Sequence, residues 1–472
     1  MADRERPYLF YDVALSICSS CFRKIEAKIL FQDDGVYMVK RCPVHGAERV
    51  LLADDVDYYR RCREVFLKPP EMPNRFNTPV RWGCPYDCGL CTDHEQHSCL
   101  TLIEVTDFCN LRCPICYSGS GPERSRHRAL PIIEAMLDAI VANERRPDVV
   151  QISGGEPTLH PEFFSILDAA RVRPIHHLMV NTNGTRIASD RDFAERLARY
   201  MPGFELYLQF DSLEESPLRE LRGVDLRQVR RAAIEKLNQV GLTTTLVVTV
   251  KRGVNDHELG RIVDYAVQQP CVRGVVFQPV QAAGRCDGFE VASHRITLTE
   301  VRRRILEQTS LFRPEDIIPV PCHPDALAMA YALKAGGKAT PLTGLIPPEV
   351  LINGGRNTIV FESDESLQKA VFKAFATNHS PQSAGATLAE LLCCLPKVAA
   401  PLDLGYENVF RVIIMQFLDA HSFDVRSVKK TCVHIAHPDG KRIIPFDTYN
   451  LFYRDELEST RLAALRTEVP HV

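Results

Sequence analysis

The stretch from Cys84 to Cys116, CPYDCGLCTDHEQHSCLTLIEVTDFCNLRCPIC, uses one cysteine spacing twice. C-x3-C-x2-C occurs at Cys84, Cys88 and Cys91, and again at Cys109, Cys113 and Cys116. Thiolates are soft ligands, and three on a tight loop suit an iron–sulfur cluster or zinc. A cubane [4Fe–4S] cluster is closed by four ligands. The first triplet has a nearby fourth thiol in Cys99, so Cys84, Cys88, Cys91 and Cys99 are expected to enclose an auxiliary [4Fe–4S] cluster. After Cys116 the next cysteine is Cys271. Three ligands without a neighbouring fourth leave one iron open to a small molecule. Cys109, Cys113 and Cys116 are therefore expected to hold the cluster that reacts.

The N-terminus carries a second metal pattern. Cys18-x2-Cys21 and Cys42-x2-His45 form two knuckles around a predicted hairpin, KILFQDDGVYMVKRC, that turns at Asp34-Gly35. Two such pairs suit a tetrahedral zinc or a mononuclear iron. Of 17 cysteines, 11 lie within the first 116 residues, so the front of the chain is built around metal. The opening residues, MADRERPYLFYDVALSICSSC, show no apolar h-region with a cleavage site, and nowhere do 18 apolar residues run together. A cytoplasmic location is expected, with peripheral contact at a membrane left open. In that reducing setting clustered thiols read as ligands and not as disulfides. A formal charge of −3 gives no drive toward nucleic acid.

Elements must carry these loops to one place. TLIEV (101–105), VVQIS (149–153), HLMVN (177–181), ELYLQF (205–210), TTLVVTV (244–250) and VRGVVFQ (272–278) read as buried parallel strands, each separated from the next by a helix-like segment. Six βα repeats predict an α/β fold, an open partial (β/α)6 barrel related to the TIM barrel. The chain is expected to divide into a rubredoxin- or zinc-ribbon-like module (1–67), a linker with the auxiliary-cluster loop (68–99), the partial barrel (100–290) and a mostly helical C-terminal region (291–472) closed by the hairpin CVHIAHPDGKRIIPF. Cys393-Cys394, inside the apolar ELLCCL, reads as buried structural thiols.

Such barrels place chemistry at the C-terminal ends of their strands. The second triplet follows the first of these strands. SGGEP (153–157) follows the second, where Gly154 and Gly155 let backbone approach a ligand and Glu156 is expected to be an ionised acceptor for an α-ammonium group. Asn181 and Asn183, Gln209 and Asp211, Lys251, and Gln278 end the next four strands. Asn183, Asp211 and Gln278 are the favoured cofactor or substrate contacts, and no residue stands out as catalytic.

CNLRCPICY followed by SGGEP resembles the radical S-adenosylmethionine (SAM) superfamily. The resemblance implies a [4Fe–4S] cluster whose open iron binds the amino acid end of SAM, reductive cleavage to a 5′-deoxyadenosyl radical, and a flavodoxin- or ferredoxin-type reductant. The front CxxC…KRCPxHG module, GCPYDCGLCxxHxQHSC, SGGEPTLHPEF, LQFDS and the closing HPDGKRIIPFDTYNLFYR resemble a subgroup that includes the archaeal tetraether lipid synthase. Proteins described as methyltransferases of a pterin precursor are related to it. That subgroup tends to carry further C-terminal cysteines for a second auxiliary cluster. Here Cys322 and Cys432 could serve, Asp447 stands where a cysteine is expected, and Cys271 and Cys286 belong to no motif.

The resulting expectation is carbon–carbon bond formation on lipid alkyl chains, which needs a long apolar channel. The alternative is C-methylation of a small pterin-type molecule with a methylene-folate-type donor, which needs a compact polar pocket. A non-catalytic iron–sulfur electron carrier is the third reading.

Overall fold

The computed structural model describes residues 6–345 except 191, residues 349 and 352, and residues 408–469. Cys393-Cys394 lies outside them.

The N-terminal module is a four-stranded antiparallel ribbon of β1 (Leu9–Ile17), β2 (Lys24–Gln32), β3 (Gly35–Cys42) and β4 (Gly46–Ala53). The expected hairpin is β2–β3, closing with Gln32 opposite Gly35. The outer strands were not anticipated. Alternating residues such as Ala14, Ala27, Ile29, Val36 and Met38 form a small core between the ribbon and the following helix, Val56–Glu64.

Beyond residue 99 one sheet organises the chain. Its central parallel strands are β5 (Leu100–Thr106), β7 (Val149–Gly154), β8 (His177–Thr182), β9 (Phe204–Gln209), β10 (Thr244–Val250) and β11 (Val272–Pro279), paired in chain order. Two short strands, β6 (Ile115–Cys116) and β12 (Arg285–Cys286), pair separately above it. The six runs chosen from sequence are these six strands, since each is β-branched or apolar and bounded by a helix.

The C-terminal region differs from expectation. Among its described residues β13 (Ile318–Pro319), β14 (Leu327–Ala335), β15 (Lys338–Pro341) and β16 (Val409–Met415) extend the sheet past β11, while β17 (Val433–Ala436) and β18 (Ile443–Pro445) extend it past β5. The mostly helical reading is corrected there. LAMAYALKA is rich in good helix formers, but β14 pairs with β16 along its length and is buried on both faces, and tertiary context overrides propensity. The terminal hairpin forms as β17–β18. The strand order leaves the sheet open, with β13 and β18 at its ends.

Side chains alternate across each strand. Val150, Val180, Leu208, Val248 and Phe277 face the helix layer in one apolar core. Val149, Met179, Tyr207, Val247 and Val276 face inward and share a second core with β14, β16, β17 and the segment 446–453. Arg454 ties that segment to β5 through a bidentate pair with Glu104, at 2.8 and 2.9 Å.

Candidate active site

The inward parity decides what lines the sheet's interior near its C-terminal ends. Two residues beyond Met179, Tyr207, Val247 and Val276 come Asn181, Gln209, Thr249 and Gln278, which line one cavity together with Gln281 and Arg222. Cys109, Cys113 and Cys116 lie on its wall, and Tyr117, Phe417 and Phe446 are also at its margin. Phe417 and Phe446 pack at a centroid distance of 4.0 Å, and Tyr117 meets Phe446 edge-on at 5.0 Å. Sequence reasoning did not identify Tyr117, Arg222, Gln281, Phe417 or Phe446. The last two come from the C-terminal region, whose strands had not been recognised.

The loop carrying the triplet is held at several points. Leu111 N donates to Cys109 Sγ at 3.4 Å, and Cys116 Sγ lies 3.3 Å from Ser118 Oγ. Arg285 Nε donates to the Cys113 carbonyl at 2.6 Å, beside the β6–β12 pairing. Burial pushes the Cys109 thiol up to about 12 and raises Cys113 as well. A metal cation reverses that preference by accepting the thiolate directly.

Gly154 and Gly155 line the cavity and press against this loop. Gly155 N donates to Thr106 O at 2.7 Å and Glu156 N to Phe108 O at 2.8 Å. A Cβ on either glycine would collide with a backbone carbonyl, that of Thr106 or of Phe108, and Gly154 has φ +128°. The Glu156 side chain differs from its expected role. It is fully buried and accepts from Thr158 N (3.1 Å), Thr158 Oγ1 (2.5 Å), Thr182 Oγ1 (2.8 Å) and Asn183 N (2.7 Å). Burial raises its pKa above the ordinary carboxylate value and so makes it a weaker acid. Its oxygens join two strand ends and do not line the cavity; the approach to a ligand falls to the glycines before it.

Asn183 and Asp211 also act from behind. Asn183 Nδ2 donates to Asn110 Oδ1 at 2.8 Å and lies 3.9 Å from Cys109 Sγ, while Oδ1 accepts from Thr185 N at 3.0 Å. Asp211, at φ +66° and fully buried, receives Arg222 Nε at 2.7 Å and Nη2 at 2.5 Å. Burial would raise Asp211, but the Arg222 guanidinium outweighs it and holds the carboxyl below its ordinary value. Arg222 in turn lies beside Cys113 and borders the cavity. Gln278 alone of these three faces the cavity directly, with Nε2 donating to Tyr207 Oη at 3.2 Å.

A model of the radical SAM superfamily matches residues 103–266, and one of an HMPTM N-terminal zinc ribbon domain matches residues 10–54. The chain is 30% identical to 7,8-dihydro-6-hydroxymethylpterin dimethyltransferase of Methanocaldococcus jannaschii, over 94% of each protein. The chain belongs to the radical SAM superfamily. It is also 28% identical to a GTP 3′,8-cyclase of Pectobacterium atrosepticum over 47% of this chain and 68% of that one. Among solved structures it is similar to Streptococcus suis SuiB bound to its precursor peptide SuiA, with 18% identity, 46% of each chain covered and a TM-score of 0.39.

As a radical SAM enzyme the chain uses a [4Fe–4S] cluster and SAM. The three wall cysteines are buried or half-buried beside backbone that only glycine permits, and this donor set fits such a cluster. The zinc ribbon domain matches the N-terminal module, where Cys18, Cys21, Cys42 and His45 have ligand atoms all within 4.8 Å of one another. His45 Nδ1 lies 3.5 Å from both Cys18 Sγ and Cys42 Sγ. Backbone N–H groups of His45 and Val44 hold the Cys42 thiol down to about 6, ready to bind as thiolate.

The first triplet is buried against the C-terminal segment. Thr448 Oγ1 donates to Cys88 Sγ at 3.0 Å and Cys88 N to Tyr453 Oη at 2.8 Å. Cys99 is a correction. Its sulfur lies within 4.8 Å of Cys322 and Cys432, a grouping that the sequence reading with Cys84, Cys88 and Cys91 did not foresee. Strand register explains this, because Leu100 pairs with Val433 and so carries Cys99 beside Cys432. Cys271 is buried under the helix layer, and Cys286 lies in the short strand beside the triplet loop. No helix among the described residues is long and apolar enough to cross a membrane.

Proposed function

We propose that this radical SAM enzyme methylates carbon on a pterin-type heterocycle, with a methylene-folate-type donor and a flavodoxin- or ferredoxin-type reductant. The observation that carries the reading is the carboxamide set Asn181, Gln209, Gln278 and Gln281 facing the aromatic margin of Tyr117, Phe417 and Phe446. A pterin is planar and edged with amide-like donors and acceptors. Neutral carboxamides can pair with that edge while aromatic rings cover its face. Asn181 Oδ1 is buried without a partner among the described residues, which suits a donor arriving with the ligand. Gln281 is paired within the protein, to Leu418 O and Asn450 Nδ2, but an alkyl chain would leave Asn181 Oδ1 desolvated and unpaired, at about 1–3 kcal/mol, so the cavity supports lipid coupling less well. The dimethyltransferase similarity along almost the whole chain points the same way. An electron carrier would need no cavity at its cluster.

In this reading Cys109, Cys113 and Cys116 hold the SAM-binding cluster, and Cys84, Cys88 and Cys91 an auxiliary one. When bound, the reactive cluster supplies the electron that cleaves SAM to a 5′-deoxyadenosyl radical. Gly154 and Gly155 give the amino acid end of SAM access to backbone, and Glu156 and Asn183 fix the strand ends beneath it. Asp211 orients Arg222 beside Cys113. The carboxamides orient the heterocycle, and the aromatic margin restricts water.

The test is anaerobic reconstitution with iron and sulfide, followed by incubation with SAM, a strong reductant, 7,8-dihydro-6-hydroxymethylpterin and a labelled methylene donor. Pterin-dependent 5′-deoxyadenosine and labelled, methylated pterin are expected. 5′-Deoxyadenosine that responds to lipid extract and ignores the pterin would overturn the reading.

A further inference from the structure

Three cysteines meet far from the cavity in sequence and in purpose. Cys99 precedes β5, Cys432 precedes β17, and Cys322 lies between β13 and β14. All three are fully buried, their sulfurs lie within 4.8 Å of one another, and Cys322 Sγ is 3.5 Å from Cys432 Sγ. Each brings a buried histidine in its own segment: His97, His323 and His434. β5 and β17 belong to one flank of the open sheet and β13–β14 to the other, so the sulfurs lie across the seam where strand pairing stops.

The spacing discriminates between metal units. At a metal–sulfur distance of about 2.3 Å, two thiolates on one tetrahedral ion stand roughly 3.8 Å apart. A cubane binds its thiolates to different irons and needs them wider. The ribbon quartet, with Cys21 Sγ 3.9 Å from Cys42 Sγ, shows the single-ion spacing within this same chain. Neither C-x3-C-x2-C triplet is among the described groups so compact. The second auxiliary cluster that the resemblance implied for the C-terminal cysteines therefore does not fit.

We propose that Cys99, Cys322 and Cys432 bind one tetrahedral metal ion, zinc or iron, with His97 as fourth ligand, and that this ion joins the two flanks of the sheet. His97 Nε2 is 3.6 Å from Cys99 Sγ but outside the 4.8 Å group that the three sulfurs form, so its ring would close onto the ion as metal enters, while Nδ1 is 3.2 Å from Glu144 Oε2. A carboxylate on one ring nitrogen fixes the proton there and turns the other nitrogen's lone pair to a metal. Glu144 is itself held by Ser98 N at 3.0 Å. Glu71, paired with Lys68, has its Oε2 3.6 Å from the same Nε2 and is the partner that a metal ion would displace.

The full chain carrying Cys18→Ser and Cys42→Ser, which disable the ribbon site, is reconstituted with iron and sulfide and then given cobalt(II) or zinc(II). One tightly bound equivalent is expected. Cobalt should give the thiolate charge-transfer and d–d absorption of a tetrahedral site, and X-ray absorption at zinc should show three sulfur neighbours and one nitrogen. Adding Cys322→Ser should remove that signal with sulfide unchanged, and His97→Ala should weaken binding about 10–100-fold. Iron and sulfide falling together by a cluster's worth in Cys322→Ser would overturn the proposal. So would a cobalt spectrum indifferent to that substitution. If Cys322→Ser does not fold, the ribbon-disabled parent decides alone, since absence there of both a three-sulfur zinc and a sulfide-free mononuclear iron–thiolate signal is equally fatal.

Discussion

The N-terminal ribbon and the loop after β5 both present cysteines from short segments, yet they are built for opposite ends. In the ribbon, four ligand atoms crowd within 4.8 Å at the turns of a small antiparallel sheet, and the protein can saturate an ion. After β5 three cysteines stand on the wall of a cavity, pressed by Gly154 and Gly155, with carboxamides beyond them. A closed set of ligands makes metal part of the fold. An incomplete one beside a cavity makes it part of a reaction.

The comparison can be broken most directly at Cys113. Cys113→Ala should reduce 5′-deoxyadenosine formation to background while zinc content stays unchanged; parallel loss of both would mean that the two regions are not independent. Next in size is Arg222→Ala, which removes the bidentate partner of a buried carboxylate, leaves it only Arg230 at 3.7 Å, and should destabilise the chain by about 3 kcal/mol in urea unfolding. A loss near zero would mean that Asp211 is protonated or solvated. Asn183→Ala should slow SAM cleavage about 10–100-fold, since it loosens the Cys109–Asn110 turn without removing a ligand. Single-turnover product analysis would register this.

The smallest catalytic effect belongs to the ribbon. Its zinc should leave as the pH falls, because a Cys42 thiol held below its ordinary value contributes metal binding that is complete at high pH and lost through about 6. A colorimetric chelator would follow the release. Cys42→Ser should abolish it at neutral pH while 5′-deoxyadenosine formation by the reconstituted enzyme persists.

Local features were legible in the sequence. Both triplets, the ribbon knuckles and SGGEP are read from residues close together, and the six parallel strands announce themselves by β-branched runs. What failed depended on distance. Cys322 and Cys432 are 110 residues apart and meet only because the sheet bends back on itself, so proximity in the chain did not foresee that Cys99 joins them. Phe417 and Phe446 were missed because β14, rich in alanine and leucine, imitates a helix until its partner β16 is known. Glu156 was correctly placed at a strand end, but its four protein donors could not be counted before Thr158, Thr182 and Asn183 were in view.

The alternation along β8 to β11 separates two inheritances. The side chains that hold the helices lie on the opposite face of each strand from the polar ring that greets the ligand, so the side chains of Asn181, Gln209 or Gln278 can be exchanged with little effect on the packing of Val180, Leu208 or Phe277. A lineage could retune what it accepts by point changes in that ring while its scaffold stays intact.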